Sequence, residues 1–575
     1  MPIAARPTSI LQRLLPIFVW LPAYQRAWLL PDFLGGLALW AVMVPEGMAY
    51  AGIVGVPPIM GLYSIVPPLI AYALLGTSRL LVIGPDTATG LISALTVGAI
   101  AAQGTAEFNT LTSTLAVLIG ALFLLFGALR MGWVAAFIPT PVMRGFIEGL
   151  VCVTIIGQVP HLLGIGGTSG NFIAKLWFVL QHLSDVSLAP MLTGLLSLGA
   201  MQLLRQSAPR VPAALVVAVL ATVLVGLLGG EAAGVSVVGD LPSGLPHLTL
   251  PNFDPATLQQ LAPGAFAIVL VGYAEALGGA KAAALQGGGA IDPNQELIAH
   301  GPANILSGLF SGFLVVGSLS KTSVAMAASA RTQLANLVAA VFCFFTLVLL
   351  TPLFRGMPHP ALGAIVIAAM LHLMKPAYLR ELLVRSRREF AVAAIVFAGE
   401  LTLGILQGIA LGVVLSLIML IYRATHPRGA VLGQVPGVEA YRDVERHPEA
   451  VTFPGLLIWR PGGDLFFASI GHVGEAVEAA LASYRPPVRH ILLDAGSVNM
   501  IDTTALDALL NAVKELQAQG VTIAFARVRD DVRDQMRLAG IEAGVGAENF
   551  HERVTDGVRA WQRCSGCREI DTDTV

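Results

Sequence analysis

Apolar segments of about twenty residues, separated by short polar loops, run from residue 33 to residue 422. Such a segment is long enough to cross a bilayer as a helix. The pattern predicts spans near 33–51, 58–76, 110–129, 138–158, 188–206 and 211–229, then near 263–284, 294–316, 332–351, 358–374, 388–404 and 406–422. Segments 87–102 and 320–330 are too short to span and read as half-helices entered from extended backbone. Together these make fourteen elements, seven plus seven. Residues 171–183 carry an amphipathic pattern suited to a helix lying at the interface. After residue 422 the period changes. His490-Ile491-Leu492-Leu493 reads as a buried strand, and Asp502 caps a helix with Ala505, Leu506, Leu509, Leu510 and Val513 on one face. A second strand over 521–528 and a second helix over 532–539 complete a small α/β domain.

One short phrase occurs twice, about 230 residues apart. Leu81-Val82-Ile83-Gly84-Pro85-Asp86-Thr87-Ala88-Thr89 and Leu314-Val315-Val316-Gly317-Ser318-Leu319-Ser320-Lys321-Thr322 each run from extended apolar residues through Gly into a helix start. Each follows an apolar segment with one acid, Glu46 in the first half and Glu275 in the second. Two related halves with broken helices meeting at the midplane are the pattern of a secondary transporter.

Composition agrees with a membrane protein: of 575 residues, 55% are hydrophobic and 12% charged, against about 25% charged in soluble domains. Mean hydropathy is +0.75. Basic residues collect in alternate loops, at Arg79, Arg130, Arg205, Arg210, Lys281, Arg331, 375–388 and 423–428, while the intervening loops hold Lys175 and Arg355. By loop basicity the N-terminus and the α/β domain are cytoplasmic. The N-terminal stretch, with Arg6, Arg13 and Arg26 among prolines, does not read as a cleavable signal. Four cysteines are too few for a disulfide framework. Cys152 and Cys343 lie in spans, and Cys564 and Cys567 form a lone CxxC in the tail, half of a zinc site. His161, His359 and His372 are isolated in sequence, so no metal site or cofactor is expected. No nucleotide-binding loop and no nucleophile with its base is present, which argues against a pump or an enzyme. Nothing points to nucleic acid.

An ionisable group inside a spanning helix is a functional candidate by default. Glu46, in Val44-Pro45-Glu46-Gly47-Met48-Ala49-Tyr50, is a candidate for proton exchange, and Pro45 and Gly47 predict a locally opened helix. Tyr50 follows one turn later on the same face. Glu275 is a candidate for ion or proton coupling. Converging half-helix N-termini create an anion site, to which the amides of Thr87, Ala88 and Ser320 are assigned. Lys321 adds a full charge, either to the anion or as a partner for Glu275 or Asp86. Asp86 is the natural cap of the first half-helix.

These residues resemble the sulfate permease family, solute carrier family 26 of animals, over roughly residues 30–562. The resemblance rests on Val44-Pro45-Glu46-Gly47-Met48-Ala49-Tyr50-Ala51, Gly61-Leu62-Tyr63, Gly76-Thr77-Ser78-Arg79, Gly239-Asp240-Leu241-Pro242-Ser243-Gly244-Leu245-Pro246, Asp292-Pro293-Asn294-Gln295-Glu296-Leu297 and Gly317-Ser318-Leu319-Ser320-Lys321. It implies an α-helical multi-pass membrane protein with fourteen transmembrane elements in a 7+7 inverted repeat, core and gate domains, and a C-terminal STAS domain. The implied division is 1–30, a transport domain over 31–422 with repeats at 31–229 and 262–422, a linker over 423–449, STAS over 450–562 and a tail over 563–575. It also implies a homodimer, an anion substrate at Glu46, Tyr50, Thr87, Ala88, Ser320 and Lys321, and ion or proton coupling at Glu46 and Glu275. Many members have Gln or Ser in place of Glu46, and Arg in place of Lys321. Lysine lacks arginine's planar fork. Asp502-Thr503-Thr504 resembles the loop phosphorylated in related bacterial regulators, so Thr503 and Thr504 are either a regulatory site or part of an ordinary capped helix start. The expectation is proton-coupled uptake of sulfate or a dicarboxylate across a bacterial inner membrane. The alternatives are sodium-coupled bicarbonate symport, an anion channel or exchanger, and a membrane-anchored signalling protein.

Overall fold

The computed structural model describes residues 10–565 apart from 138, 167–169, 209–210, 240–243 and 288. Cys567 and Asp240-Leu241-Pro242-Ser243 therefore lie outside the described residues. The chain divides into two compact units, Met1–Ser416 and Leu417–Val575.

In the first unit helices occupy the predicted apolar segments, and eight of them, among the described residues, are long and apolar enough to cross a membrane. The helix Leu29–Val54 ends where Gly55 turns left-handed at φ 89° and its N–H reaches the Ala51 carbonyl. The predicted opening at Pro45 does not occur, since the helix is continuous through it. Gly47 serves packing instead. A Cβ placed on Gly61 would lie 2.0 Å from the Gly47 carbonyl oxygen, so paired glycines let two backbones touch. The segment expected to span 294–316 is helical over Pro293–Leu309 and extended afterwards. The interfacial helix is Phe172–Gln181, capped by Asn171. Its Val179 packs with Ile156 and Ile165, while Ile173, Trp177 and Leu180 face outward.

Between the halves lies an antiparallel strand pair, β1 (Val82–Gly84) and β2 (Val316–Ser318), in register Val82 to Ser318, Ile83 to Gly317 and Gly84 to Val316. The twice-written phrase is thus brought into contact with itself. Extended backbone at membrane depth survives only where its polar groups find partners. Thr322 Oγ1 accepts from the Val82 N–H at 3.0 Å. Asn304 both donates to the Val315 carbonyl at 2.9 Å and accepts from its N–H at 2.8 Å. Gln333 and Asn336 donate to the Leu81 carbonyl at 2.9 and 3.0 Å. Half-helices Thr87–Gly98 and Leu319–Ala327 leave from the two strands.

The second unit is a six-stranded sheet in the order β4-β3-β5-β6-β7-β8. Its parallel part comprises β5 (Leu456–Arg460), β6 (His490–Asp494), β7 (Thr522–Ala526) and β8 (Phe550–His551). Residues 423–449, read as a linker, contain β3 (Ala430–Gln434), antiparallel to β5, and β4 (Tyr441–Asp443), antiparallel to β3. Pro427 and Pro436 flank β3 and Pro448 follows β4, and Leu432 buries its side chain. Helices Thr503–Ala518 and Asp530–Leu538 follow the predicted strands. Leu457, Ile491, Phe525, Leu506 and Val513 share one core with them.

Candidate functional site

Lys321 begins the second half-helix and is 1% exposed. Its Nζ donates to the Pro85 carbonyl at 2.8 Å, lies 3.5 Å from Glu46 Oε2 and sits 4.9 Å from the centre of the Tyr50 ring. Gly84 leaves room for this arrangement: a Cβ there would come within 2.8 Å of Met43 Cε and 3.8 Å of the lysine stem. One cation therefore ties the second half-helix to the turn before the first and to the long helix Leu29–Val54. Sequence reasoning offered Glu275 or Asp86 as its partner, whereas the ion pair is with Glu46. The helix Leu29–Val54 packs against the second half-helix, and this sets Glu46 beside Lys321.

Glu46 is buried, and its Oε2 has no hydrogen-bond partner. The Tyr50 hydroxyl is within hydrogen-bonding reach of the Thr87 and Glu46 side chains. Asp86 caps its half-helix, accepting from Ala88 N–H at 2.9 Å and Thr89 N–H at 3.4 Å. This corrects one assignment: the Ala88 amide is already satisfied by the cap and is not free for a ligand. Ser320 is exposed, its Oγ 3.0 Å from Ser318 Oγ, and stands apart from the buried pair. Glu275 is half-buried on the helix Pro255–Gly287, within electrostatic reach of Asp86 and Lys321. Gly272 brings that helix onto β2, since a Cβ there would meet Val316 Cγ1 at 2.5 Å.

Sequence reasoning passed over two further acids in spans. Glu148 accepts from the Lys375 N–H at 2.7 Å. Glu400 is 0% exposed, with the Leu150 backbone N–H within hydrogen-bonding reach. The rule that singled out Glu46 applies to both. His161 and His359, isolated in sequence, stack with ring centres 6.4 Å apart.

In the second unit, Asp494 at the end of β6 accepts from Arg460 Nε at 2.6 Å and from Arg527 Nε and Nη2 at 2.7 Å each. Burial opposes its charge, but the bonds and charges of Arg527 and Arg460 prevail and hold the carboxyl below the usual carboxylate range. Thr503 and Thr504 are exposed at their helix start, where Asp502 accepts from Ala505 N–H at 2.8 Å.

A strand pair at membrane depth, two half-helices and a buried charge pair define a transporter of the broken-helix kind. Residues 29–396 match the sulfate permease family, and residues 447–557 match the STAS domain. The chain is 34% identical over 540 residues to a probable sulfate transporter of Mycobacterium tuberculosis, covering 94% of this chain and 96% of that one. It is 31% identical over 566 residues to a chloroplastic sulfate transporter of Arabidopsis thaliana, covering 95% and 82%. Among solved structures it superposes on a murine solute carrier 26 family anion transporter with TM-score 0.87 at 23% identity, covering 98% and 96%. The transmembrane domain of a cyanobacterial bicarbonate transporter gives TM-score 0.60 at 23% identity, covering 69% and 98%. The chain belongs to the sulfate permease family of anion transporters, as a multi-pass membrane protein with a C-terminal STAS domain.

Proposed function

We propose that the chain is a proton-coupled secondary transporter taking up a small anion, sulfate first and a dicarboxylate next, across a bacterial inner membrane. The observation that carries this is the buried Glu46–Lys321 pair at the crossing of the two repeats. An anion arriving at the half-helices competes with Glu46 for Lys321. Glu46, released from its cation in apolar surroundings, takes a proton, because an unpaired buried carboxylate is costly. Proton and anion then travel together, and the loaded site crosses with less net charge. Tyr50 and Thr87 line the place the anion would take, Asp86 holds the first half-helix in shape, and Ser320 adds a hydroxyl at the second. The Ala88 amide keeps its bond to Asp86.

In this reading the strand pair and half-helices move as one core against gate helices that include Thr140–Leu163 and Arg387–Thr402, within a fourteen-element transport domain over 31–422 that acts as a homodimer. The STAS domain over 450–562 is cytoplasmic, and Thr503 and Thr504 are its candidate phosphosites. The names of the Mycobacterium and Arabidopsis relatives support sulfate as the first substrate to try.

The test is uptake of labelled sulfate and labelled fumarate into proteoliposomes, with and without an inward proton gradient, for wild type and Glu46→Gln. Gradient-stimulated uptake that disappears in the variant is expected. Uptake that ignores the gradient and survives the substitution refutes the coupling. A second reading, sodium-coupled bicarbonate symport, draws support from Glu275 and Asp86 lying within electrostatic reach of each other. It requires sodium-dependent bicarbonate uptake that is lost in Glu275→Gln.

A further inference from the structure

A cavity of about 410 Å3 opens beside the first half-helix, lined there by Leu91, Leu95 and Thr96 and elsewhere by Lys175, Glu400 and Gln407 with Gln260. Its lining begins at Leu91, four positions past Thr87 and about 6 Å along the helix axis, and extends from there away from the Lys321 pair. Two ionisable side chains in it have no ion-pair partner among the described residues. Lys175, half-buried on the interfacial helix, turns its Nζ toward Gly157, 3.4 Å from where a Cβ would stand. Glu400 is 0% exposed, and the Leu150 backbone N–H lies within hydrogen-bonding reach of its carboxyl.

Glu400 occupies a slot cut by two glycines. A Cβ on Gly149 would lie 2.2 Å from its Oε2, and one on Gly408 would lie 2.3 Å from its Cγ. Cys152 on the helix Thr140–Leu163 lies within electrostatic reach of both Glu400 and Glu148, and Glu148 is already engaged by the Lys375 backbone. Among the described residues no cation pairs with Glu400, so the surroundings suit its neutral acid, which is part of the cavity lining. The Lys175 ammonium then leaves the cavity net positive, and the amides of Gln260 and Gln407 can supply donors. Mostly apolar walls with a few converging donors and one charge suit a small anion.

We propose that this cavity is a second anion site, where Lys175 supplies the charge, Gln260 and Gln407 the amide donors, and Glu400 a proton-bearing carboxyl. It holds a small oxyanion on its way to or from the Lys321 site, and it rests on the anion-transport reading above. The test is equilibrium binding of labelled sulfate to the purified full chain in chloride-free buffer. Two sulfates per chain are expected for wild type, one for Lys321→Ala and none for Lys321→Ala combined with Lys175→Ala. In proteoliposomes, Lys175→Ala should raise the KM for sulfate at least about fivefold with Vmax changed less than about twofold, Lys175→Arg should restore it, and Glu400→Gln should weaken the second site without removing the first. Thermal unfolding of each variant separates lost binding from lost fold, and Lys175→Gln provides a milder replacement. A single sulfate abolished by Lys321→Ala alone, or an unchanged KM in Lys175→Ala, overturns the second site while leaving the transport reading standing. A wild type that binds no sulfate brings down both.

Discussion

Replacing Glu46 with Gln keeps the side chain's size and removes its charge. Two unit charges 3.5 Å apart attract by about 5 kcal/mol at an effective dielectric of about 20. Desolvation consumes most of this in a buried pair. If about 1.4 kcal/mol remains as the competition an incoming anion must overcome, the cost is tenfold in affinity. Glu46→Gln is therefore expected to bind sulfate roughly tenfold more tightly than wild type at mildly alkaline pH. Wild-type affinity should rise by up to about tenfold for each unit the pH falls, since one proton enters with the anion. In the variant that slope should be flat. Calorimetric titration of sulfate into the purified chain over a series of pH values measures both quantities, and Lys321→Met, which removes the cation, should abolish this site at every pH. Equal slopes in wild type and Glu46→Gln would refute the exchange of partners at Lys321. Weaker binding by the variant at all pH values would make Glu46 a direct ligand instead.

Other expectations are more local. Gly61→Ala should push apart the two helices that meet at Gly47 and cost about 1–3 kcal/mol, read as a lower thermal midpoint; an unchanged midpoint would contradict the close approach. Asn304→Ala leaves the Val315 N–H and carbonyl without their partner, at about 1–3 kcal/mol for each group, and should depress both stability and uptake. Asp494→Ala should destabilise the C-terminal unit by about 2 kcal/mol in urea unfolding, less than a fully buried pair would give, because Arg460 and Arg527 are partly exposed. The same unit should weaken in acid in two stages. Burial, then the neighbouring His551, pushes His490 down to about 4; the unfolded chain takes up that proton from about pH 6.5, so stability falls between about 6.5 and 4. Asp494, depressed by its arginines, contributes stability that is full above about pH 3.9 and lost as pH falls through its lower folded value. Melting curves against pH for wild type and His490→Gln separate the two, and coincident curves would refute the first stage.

Much of the fold was legible because it rests on periodicity. The apolar segments, the two half-helices and the alternating strands and helices of the C-terminal unit all announce themselves through spacing, and Asp86 and Asp502 mark helix starts that are capped as expected. What escaped notice was set by distance in space. The partner of Lys321 is Glu46, 275 positions earlier in sequence, and no local pattern pointed past the two acids considered, Glu275 and Asp86. Pro45 suggested a break, yet the helix runs on, because packing through Gly47 and Gly61 overrides the lost backbone bond. Residues 423–449 looked like open chain because β3 and β4 are short and bounded by proline and glycine, and only their neighbours in the sheet make them strands. Glu148 and Glu400 were visible as lone acids in apolar runs; their lack of a repeated partner elsewhere in the chain left them unremarked.

The strand pair has a consequence for how the molecule must be made. The Val82 N–H finds its acceptor on Thr322, 240 positions later, and the Leu81 carbonyl waits for Gln333 and Asn336. At synthesis rates of about 5–20 residues per second, the first half stays in or beside the bilayer for roughly ten to fifty seconds before the ribosome delivers those partners. During that interval its central backbone must stay hydrated or be sheltered by another protein. The insertion machinery thus has to hold an unfinished half open, and a ribosome that stalls before residue 322 leaves a protein that cannot close its own centre.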